Sequence, residues 1–382
     1  MNGTIYMPVG EACSSISDTY REKKNMVTLI NTSDVLEGRV LNHERVPNSN
    51  LKGQFKKTFQ RDDILYSEIR PQNRRFAYVD FSPIDYIAST KLMVIRAKKD
   101  VVSPKYLYYF LKNSSTVAEL QLLAETRSGT FPQITFSEVA NLTIPVPSLA
   151  VQEVIVQTMQ CLEDKITCNE QINDNLHQQA ATLFKALFVD LTPFDGTMPP
   201  NWTISTLGDA TEMGAGGDKP KESSPVKTPL CPYPIYSNGI NDYGLYGYTN
   251  DPKIKVESVT VSARGTIGYV CLRHTPYVPI VRLVTLIPDT KVLSAKYLYL
   301  YLRQLHITGT GTTQQQLTVP DFRKTEIIIP DKNTMDSFTE TVTPLFEQIW
   351  ANEDENTKLA EVRDALLPKL MSGEIDVSDI QL

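Results

Sequence analysis

Apolar residues recur at alternating spacings of four and three in two stretches of this chain. The first series is Ile155, Met159, Leu162, Ile166, Asn169, Asn173, Leu176, Ala180, Leu183 and Leu187. The second, offset by 183, is Phe338, Val342, Leu345, Ile349, Asn352, Asn356, Leu359, Arg363, Leu366 and Leu370. A seam two positions wide per heptad, with acidic flanks, predicts a helix packed against one partner helix. An ordinary amphipathic core helix is the alternative, but it leaves the paired asparagines unexplained. Polar residues in a seam cost stability unless they fix register. Pro344 and Pro368 lie inside the second seam and predict a kink or a shortened turn there.

Outside these stretches the pattern changes to short β-prone runs punctuated by Gly, Pro and Asn. They include Asp63–Tyr66, Lys91–Ile95, Ser258–Val261 and Val281–Ile287. The proline-rich stretch Lys219–Pro234 reads as a long surface loop. The two β-rich regions repeat one another. Ser103-Pro-Lys-Tyr-Leu-Tyr-Tyr-Phe-Leu-Lys112 returns as Ser294-Ala-Lys-Tyr-Leu-Tyr-Leu-Tyr-Leu-Arg303, and Gln133-Ile-Thr135 as Gln316-Leu-Thr318. Each region ends in an apolar run, Leu142–Pro145 or Ile327–Pro330, directly before a heptad stretch. The expected organisation is α+β: two similar mixed α/β domains, 1–147 and 191–333, each followed by a long helix, 148–190 and 334–382.

The net charge of −6 would argue against a polyanionic partner if it were evenly spread. It is not. Residues 1–147 carry 19 basic and 15 acidic side chains and residues 191–333 carry 14 and 12, whereas the heptad segments carry 2 and 6, and 3 and 11. Both globular segments are therefore mildly basic, which permits a nucleic-acid surface without requiring one. Five scattered cysteines with no C-x-x-C pair point to a reducing, cytoplasmic setting rather than to a disulfide framework or zinc site. Cys161 and Cys168 share a helix face, where packing explains them better than ligation. No apolar run is long enough to span a membrane, and the start, Met1-Asn-Gly-Thr-Ile-Tyr6, lacks the basic and apolar parts of a signal peptide.

Catalytic motifs are missing. The lone Pro-Pro, Met198-Pro-Pro-Asn201, lacks the flanking residues with which an adenine methyltransferase holds a flipped base. Gly214-Ala-Gly-Gly217 and Gly309-Thr-Gly311 do not sit between a strand and a helix as cofactor loops do, and no G-x-x-x-x-G-K-[ST] loop is present. His43, His177, His274 and His306 are far apart. The expectation is a non-enzymatic chain with no cofactor and no metal.

The arrangement resembles the DNA-specificity subunits of Type I restriction–modification systems over essentially the whole chain. The most specific element is Leu366-Leu-Pro-Lys-Leu-Met-Ser-Gly-Glu-Ile375, preceded by Glu361-Val-Arg-Asp364. Asn201-Trp202 through Leu207-Gly208-Asp209 resembles the family's entry into a target-recognition domain, and Arg264-Gly-Thr-Ile-Gly268 its glycine turn. The first half departs from this pattern, with Thr4 in place of Trp202 and Glu68-Ile-Arg-Pro-Gln72 in place of the glycine turn. The resemblance implies that each globular domain reads one half of a bipartite, asymmetric site in double-stranded DNA. It implies that the helices pair as an antiparallel coiled coil and dock two adenine-N6 methyltransferase subunits, joined by endonuclease/translocase subunits. Asn169 would then face Asn356, and Asn173 would face Asn352. A sequence-reading scaffold of another modification or phage-defence system is the alternative, and an inert helical adaptor a more distant one.

DNA reading needs cations for phosphates and planar donors for base edges. The densest candidates are Lys52, Lys56, Lys57, Arg61, Arg70, Arg74 and Arg75, with Phe55, Phe59 and Tyr66 as anchors to the core. A solvated basic face is the rival reading. In the second half, Lys253, Lys255 and Arg264 flank the glycine turn that carries Thr266. Lys91 and its repeat partner Arg282 fall in strand-like runs, where a structural ion pair competes with DNA contact. Arg127-Ser-Gly-Thr130 with Gln133, and Thr312-Thr-Gln-Gln-Gln316, are polar loops open to either base reading or domain–helix docking.

Overall fold

The computed structural model describes residues 4–22, 24–49, 53–126, 132–309 and 316–377. It divides into two compact units, Met1–Asn169 with Asp354–Leu382, and Glu170–Glu353, so that each unit contains part of both long helices.

In the first unit the apolar run Leu92–Ala97 forms one of the two inner strands of a four-stranded sheet, ordered Cys13–Ile16, Leu92–Ala97, Ile64–Ser67, Phe76–Tyr78, all antiparallel. Strand side chains alternate between faces. Met93, Ile95 and Ala97 accordingly enter one apolar cluster, and Leu92 and Val94 another. A second sheet, Val46–Pro47, Met26–Ile30, Tyr86–Ser89 and Phe55–Lys57, contains a parallel pair between Met26–Ile30 and Tyr86–Ser89. The larger cluster is roofed by the helix Pro104–Lys112, whose residues from Tyr106 to Leu111 are all buried. Each large apolar side chain so buried contributes roughly 1.5–3 kcal/mol. Proline at the first helical position needs no intrahelical donor. A ribbon of Ile5–Pro8 against Thr143–Val146 leads into the first long helix, Leu149–Phe184.

The second unit repeats this plan. Its four-stranded sheet runs Thr211–Ala215, Val284–Pro288, Ser258–Val261, Val270–Arg273, its ribbon pairs Thr203–Thr206 with Glu326–Ile329, and its covering helix is Ala295–Gln304. The second sheet again contains a parallel pair, Tyr233–Tyr236 with Val278–Pro279. The helix Ser114–Thr126 of the first unit was not anticipated and has no described counterpart here. The proline-rich loop is shorter than expected: Ser223–Ser224 and Tyr233–Tyr236 are strands within or at its end.

The long helices pair antiparallel in each unit. In the first, Asn169 Nδ2 donates to Asn356 Oδ1 at 2.8 Å and to Glu355 Oε2 at 2.8 Å, beside a Lys165–Glu355 ion pair at 3.0 Å. In the second, Asn352 Nδ2 donates to Asn173 Oδ1 at 2.7 Å, and Asn173 Nδ2 to Ile349 O at 3.3 Å. The second long helix, Lys332–Ser372, continues through Pro344 and Pro368 without ending at either, and Val342, Phe346, Leu367 and Leu370 around them are buried. The first seam drifts at its end. Phe184 and Phe188 enter the core where Leu183 and Leu187 were expected, and Leu183 is exposed. A straight helix rotates its apolar stripe away from a strict heptad at about 20° per repeat. Cys161 and Cys168 are both exposed, so neither packs as expected.

Candidate nucleic-acid interface

In the second unit, residues 262–269 connect the antiparallel strands Ser258–Val261 and Val270–Arg273. Gly265 has φ +69° and open space where a Cβ would sit, so glycine serves the turn's backbone and leaves its surface accessible. Gly268, at φ +83°, is also packed: a Cβ there would lie 3.0 Å from the Ile307 carbonyl oxygen. Arg264 and Thr266 are exposed at this turn. Arg264 donates to Gln316 Oε1 at 3.1 Å, while the backbone N–H of buried Leu317 donates to Ala263 O at 3.0 Å. Thr318 caps the short helix Val319–Phe322 by accepting from the Asp321 N–H. The Gln-Leu-Thr signature therefore fastens the glycine turn to the segment leading back to the long helix. Lys253 and Lys255 are exposed, and the Lys253 ammonium lies 3.6 Å from the Cβ position of Gly217.

The first unit solves the same turn with other residues. Between Ile64–Ser67 and Phe76–Tyr78, Arg70 (φ 46°) and Arg74 (φ 51°) take left-handed conformations on either side of a 3-10 turn, Pro71–Asn73. Gln133-Ile-Thr135 repeats the fastening: Ile134 N–H donates to Glu68 O at 2.8 Å, and Thr135 forms a capping box with Glu138.

Several expected DNA contacts are committed elsewhere. The half-buried Lys57 ammonium donates to Leu92 O at 2.8 Å and Thr90 O at 3.1 Å, and burial lowers its pKa. Arg75 donates to Ser33 O at 3.0 Å and Val35 O at 3.4 Å, and Arg74 to Ser114 Oγ at 2.8 Å. Lys91 lies 3.5 Å from Glu68 and 3.4 Å from Gln133 Oε1. Lys91 and Arg282 occupy equivalent turns immediately before the strands Leu92–Ala97 and Val284–Pro288, not the strands themselves, because the chain reverses there. Lys56, Arg61, Arg70 and Arg282 are exposed. Of the three anchors, Tyr66 and Phe59 are buried and Phe55 half-buried. Lys52, Arg127–Thr130 and Thr312–Gln315 lie outside the described residues.

The fold explains other motifs without ligands. Trp202 is buried among Phe188, Phe194 and neighbouring aromatics, and its Nε1 donates to Asp331, whose carboxylate also caps the second long helix at Thr334. These hydrogen bonds hold the Asp331 carboxyl below its usual pKa. Buried Asp63 accepts from Nε and Nη2 of Arg96, at 2.7 and 2.8 Å, a pair that sequence reading missed because 33 residues separate the partners. Among the described residues no group of three or more His, Cys, Asp or Glu side chains is placed to hold a metal ion, and no helix is long and apolar enough to cross a membrane.

The model of the Type I restriction modification DNA specificity domain matches twice, over residues 13–178 and 199–361. The chain belongs to this family. Each match spans one globular part and much of the long helix after it, the repeat seen in the sheets. Among relatives of this specificity-domain family, the Type I restriction enzyme HindI specificity subunit of Haemophilus influenzae is 31% identical over 91% of this chain and 94% of its own. The MjaIX specificity subunit of Methanocaldococcus jannaschii is 27% identical over 78% of this chain and 77% of its own. The crystal structure of a Type I restriction–modification S subunit from M. genitalium superposes with a TM-score of 0.55 at 16% identity, covering 97% of this chain and 96% of that one, and shares the fold. The relatives support the α+β specificity-subunit architecture expected from the repeat.

Proposed function

We propose that this chain chooses the DNA sequence for a Type I restriction–modification complex, with each globular part reading one half of a bipartite, asymmetric site in duplex DNA. The observation that carries this reading is the duplicated turn. Both units present a hairpin turn at the same place in the same sheet, fastened by the same Gln-Ile/Leu-Thr segment, yet with different residues on it. One framework with two unlike surfaces suits two unlike half-sites. Among the candidate cations, Lys56, Arg61, Arg70 and Lys91 are exposed in the first unit, with Arg74 beside them; in the second Lys253, Lys255, Arg264 and Arg282 are exposed, with Thr266 on the glycine turn.

In this reading the target-recognition domains are 1–147 and 191–333, and 148–190 and 334–382 act as the spacer helices. The four asparagines set their register, since a slip by one heptad would bury an amide against leucine. The paired helices scaffold two adenine-N6 methyltransferase subunits, and endonuclease/translocase subunits join that core. Methyl transfer and cleavage belong to those partners.

Methylome sequencing of a strain expressing this chain with its cognate adenine methyltransferase tests the proposal. A methylated motif of two unlike specific parts separated by a fixed non-specific gap is expected. A short continuous motif, or none, would overturn it.

A further inference from the structure

Val281 and Arg282 form a turn in which both residues have left-handed backbones, φ 54° and 62°. That conformation is costly for a β-branched residue such as valine. Neither residue of the equivalent turn in the first unit, Thr90-Lys91, shares it. Three hydrogen bonds from two separate loops hold the strained turn. The Val281 N–H donates to Gly217 O and the Arg282 N–H to Gly216 O, at 2.9 and 2.8 Å. The third contact comes from Asn238, whose Nδ2 donates to Val281 O at 2.7 Å. The other end of the same amide, Oδ1, accepts from the Ala263 N–H at 2.7 Å, at the base of the Arg264-Gly-Thr-Ile-Gly turn. Ser262 adds to this knot, its hydroxyl lying 2.9 Å from Asn238 O and 3.2 Å from Arg264 O. One side chain thus ties the turn bearing Arg282 to the turn bearing Arg264.

We propose that Asn238 is a positioning residue for sequence recognition, making the Arg264 and Arg282 turns one rigid reading element. The proposal rests on the DNA-specificity reading above. Strain persists only where the surroundings over-determine it, and it gathers where a side chain must be aimed. An exposed arginine on an otherwise mobile turn would sample many orientations, and base-edge recognition requires a fixed one. The first unit meets the same need differently. Lys57 Nζ bonds Thr90 O, the carbonyl equivalent to Val281 O, and Glu68 N–H donates directly to Lys91 O. Asn238 and Lys57 are therefore counterparts in role, one in each half.

The test uses the full chain co-expressed with its cognate methyltransferase. Half-site discrimination is measured by methylome sequencing and by binding to duplexes altered in one half at a time. Asn238→Ala is expected to reduce discrimination about tenfold at the positions read by the second unit, the scale of one good base contact, and to leave the other half unchanged. Lys57→Met is expected to do the converse. Asn238→Asp keeps the bond from Ala263 N–H but sets a carboxylate against the Val281 carbonyl, so it should relax the same half. Arg282→Ala, at an exposed position, should relax those positions too, and adding it to Asn238→Ala should cost little more. A folded Asn238→Ala or Asn238→Asp chain with full discrimination in both halves would overturn the proposal, as would relaxation of both halves alike. If the unaltered chain yields no bipartite motif, the underlying reading fails, and this control distinguishes that failure from failure of the clamp.

Discussion

Replacing Asn352 with leucine isolates the energetics of one polar layer in the helix pair. Asn352 and Asn173 are 5% and 8% exposed, so water cannot stand in for a lost partner. Asn352→Leu removes the 2.7 Å donor to Asn173 Oδ1 and the acceptor for Gln348 Nε2. Stranding a buried carbonyl oxygen costs about 1–3 kcal/mol, and the leucine's own burial offsets only part of that. Asn173→Leu should cost a similar amount by stranding Asn352. The double replacement strands neither and restores the seam's apolar pattern, so its stability should return to within about 0.5 kcal/mol of the starting protein, or exceed it. The expected signature is a coupling of about 2 kcal/mol in the double-mutant cycle. The assay is specific to this part of the molecule: Trp202 and Trp350 are the only tryptophans, and both lie in the unit Glu170–Glu353. Urea titration followed by tryptophan fluorescence therefore reports that unit's unfolding. Additive losses, with the double variant as unstable as the two singles combined, would refute the reasoning. In the assembled complex, leucine at all four positions should preserve folding yet broaden the gap between the two parts of the methylated motif.

Other consequences are open to direct measurement. Lys56→Ala with Arg61→Ala should weaken DNA binding and lower the slope of log affinity against log salt by about 0.9 per charge removed; an unchanged slope would mark these cations as an ordinary solvated face. Arg75→Ala should instead cost about 1 kcal/mol of stability by freeing the Ser33 and Val35 carbonyls, with no change in salt slope. His177 packs edge-on to Phe346, and its Nδ1 is buried with no hydrogen-bond partner among the described residues. Burial, reinforced by Arg303 and opposed by Asp174, lowers its pKa, so the folded state resists a proton that the unfolded chain accepts. Stability of the second unit should fall as pH drops below about 6.5, the ordinary histidine value. His177→Phe should remove that acid-side loss in the tryptophan-monitored melt, and persistence of the loss would place its origin elsewhere.

The helix pair was legible because its period is long, and errors average out over ten seam positions. The end of the first seam was misread because Leu183 and Leu187 fit the heptad, while the helix, π-helical over Lys185–Val189, turns too slowly to keep that register and buries Phe184 and Phe188 instead. Strand cores were legible where apolar runs are continuous, as at Ser258–Val261. Turn positions were not. Arg282 reads as part of a strand because the reversal is imposed by Gly216, Gly217 and Asn238, residues far from it in sequence and without local turn chemistry. The basic cluster around Lys57 was legible as charge, but sequence says nothing about which ammonium turns inward. Lys57 does so because two carbonyls, Thr90 O and Leu92 O, converge on it across the sheet.

The internal repeat separates shared framework from divergent surface by a physical criterion. Positions that match between the halves are the ones the geometry explains through folding. Tyr106 and Tyr297 are buried and donate to the carbonyls of Pro145 and Ile328 in the ribbon, and Thr135 and Thr318 begin equivalent short helices. Gln133 and Gln316 each accept from a cation, Lys91 on the turn before Leu92–Ala97 in one half and Arg264 on the glycine turn in the other. Positions that differ lie on the turns themselves: left-handed arginines 70 and 74 in one half, left-handed glycines 265 and 268 in the other. Two copies of one framework need identical supports, whereas two unlike half-sites need unlike surfaces. Residues that hold the turns fall between these classes, and Lys57 and Asn238 fit there. They share no sequence position, yet each holds the carbonyl at the same point of the same turn. A repeat comparison alone discards both as divergent, and only the hydrogen-bond geometry shows that they answer one requirement.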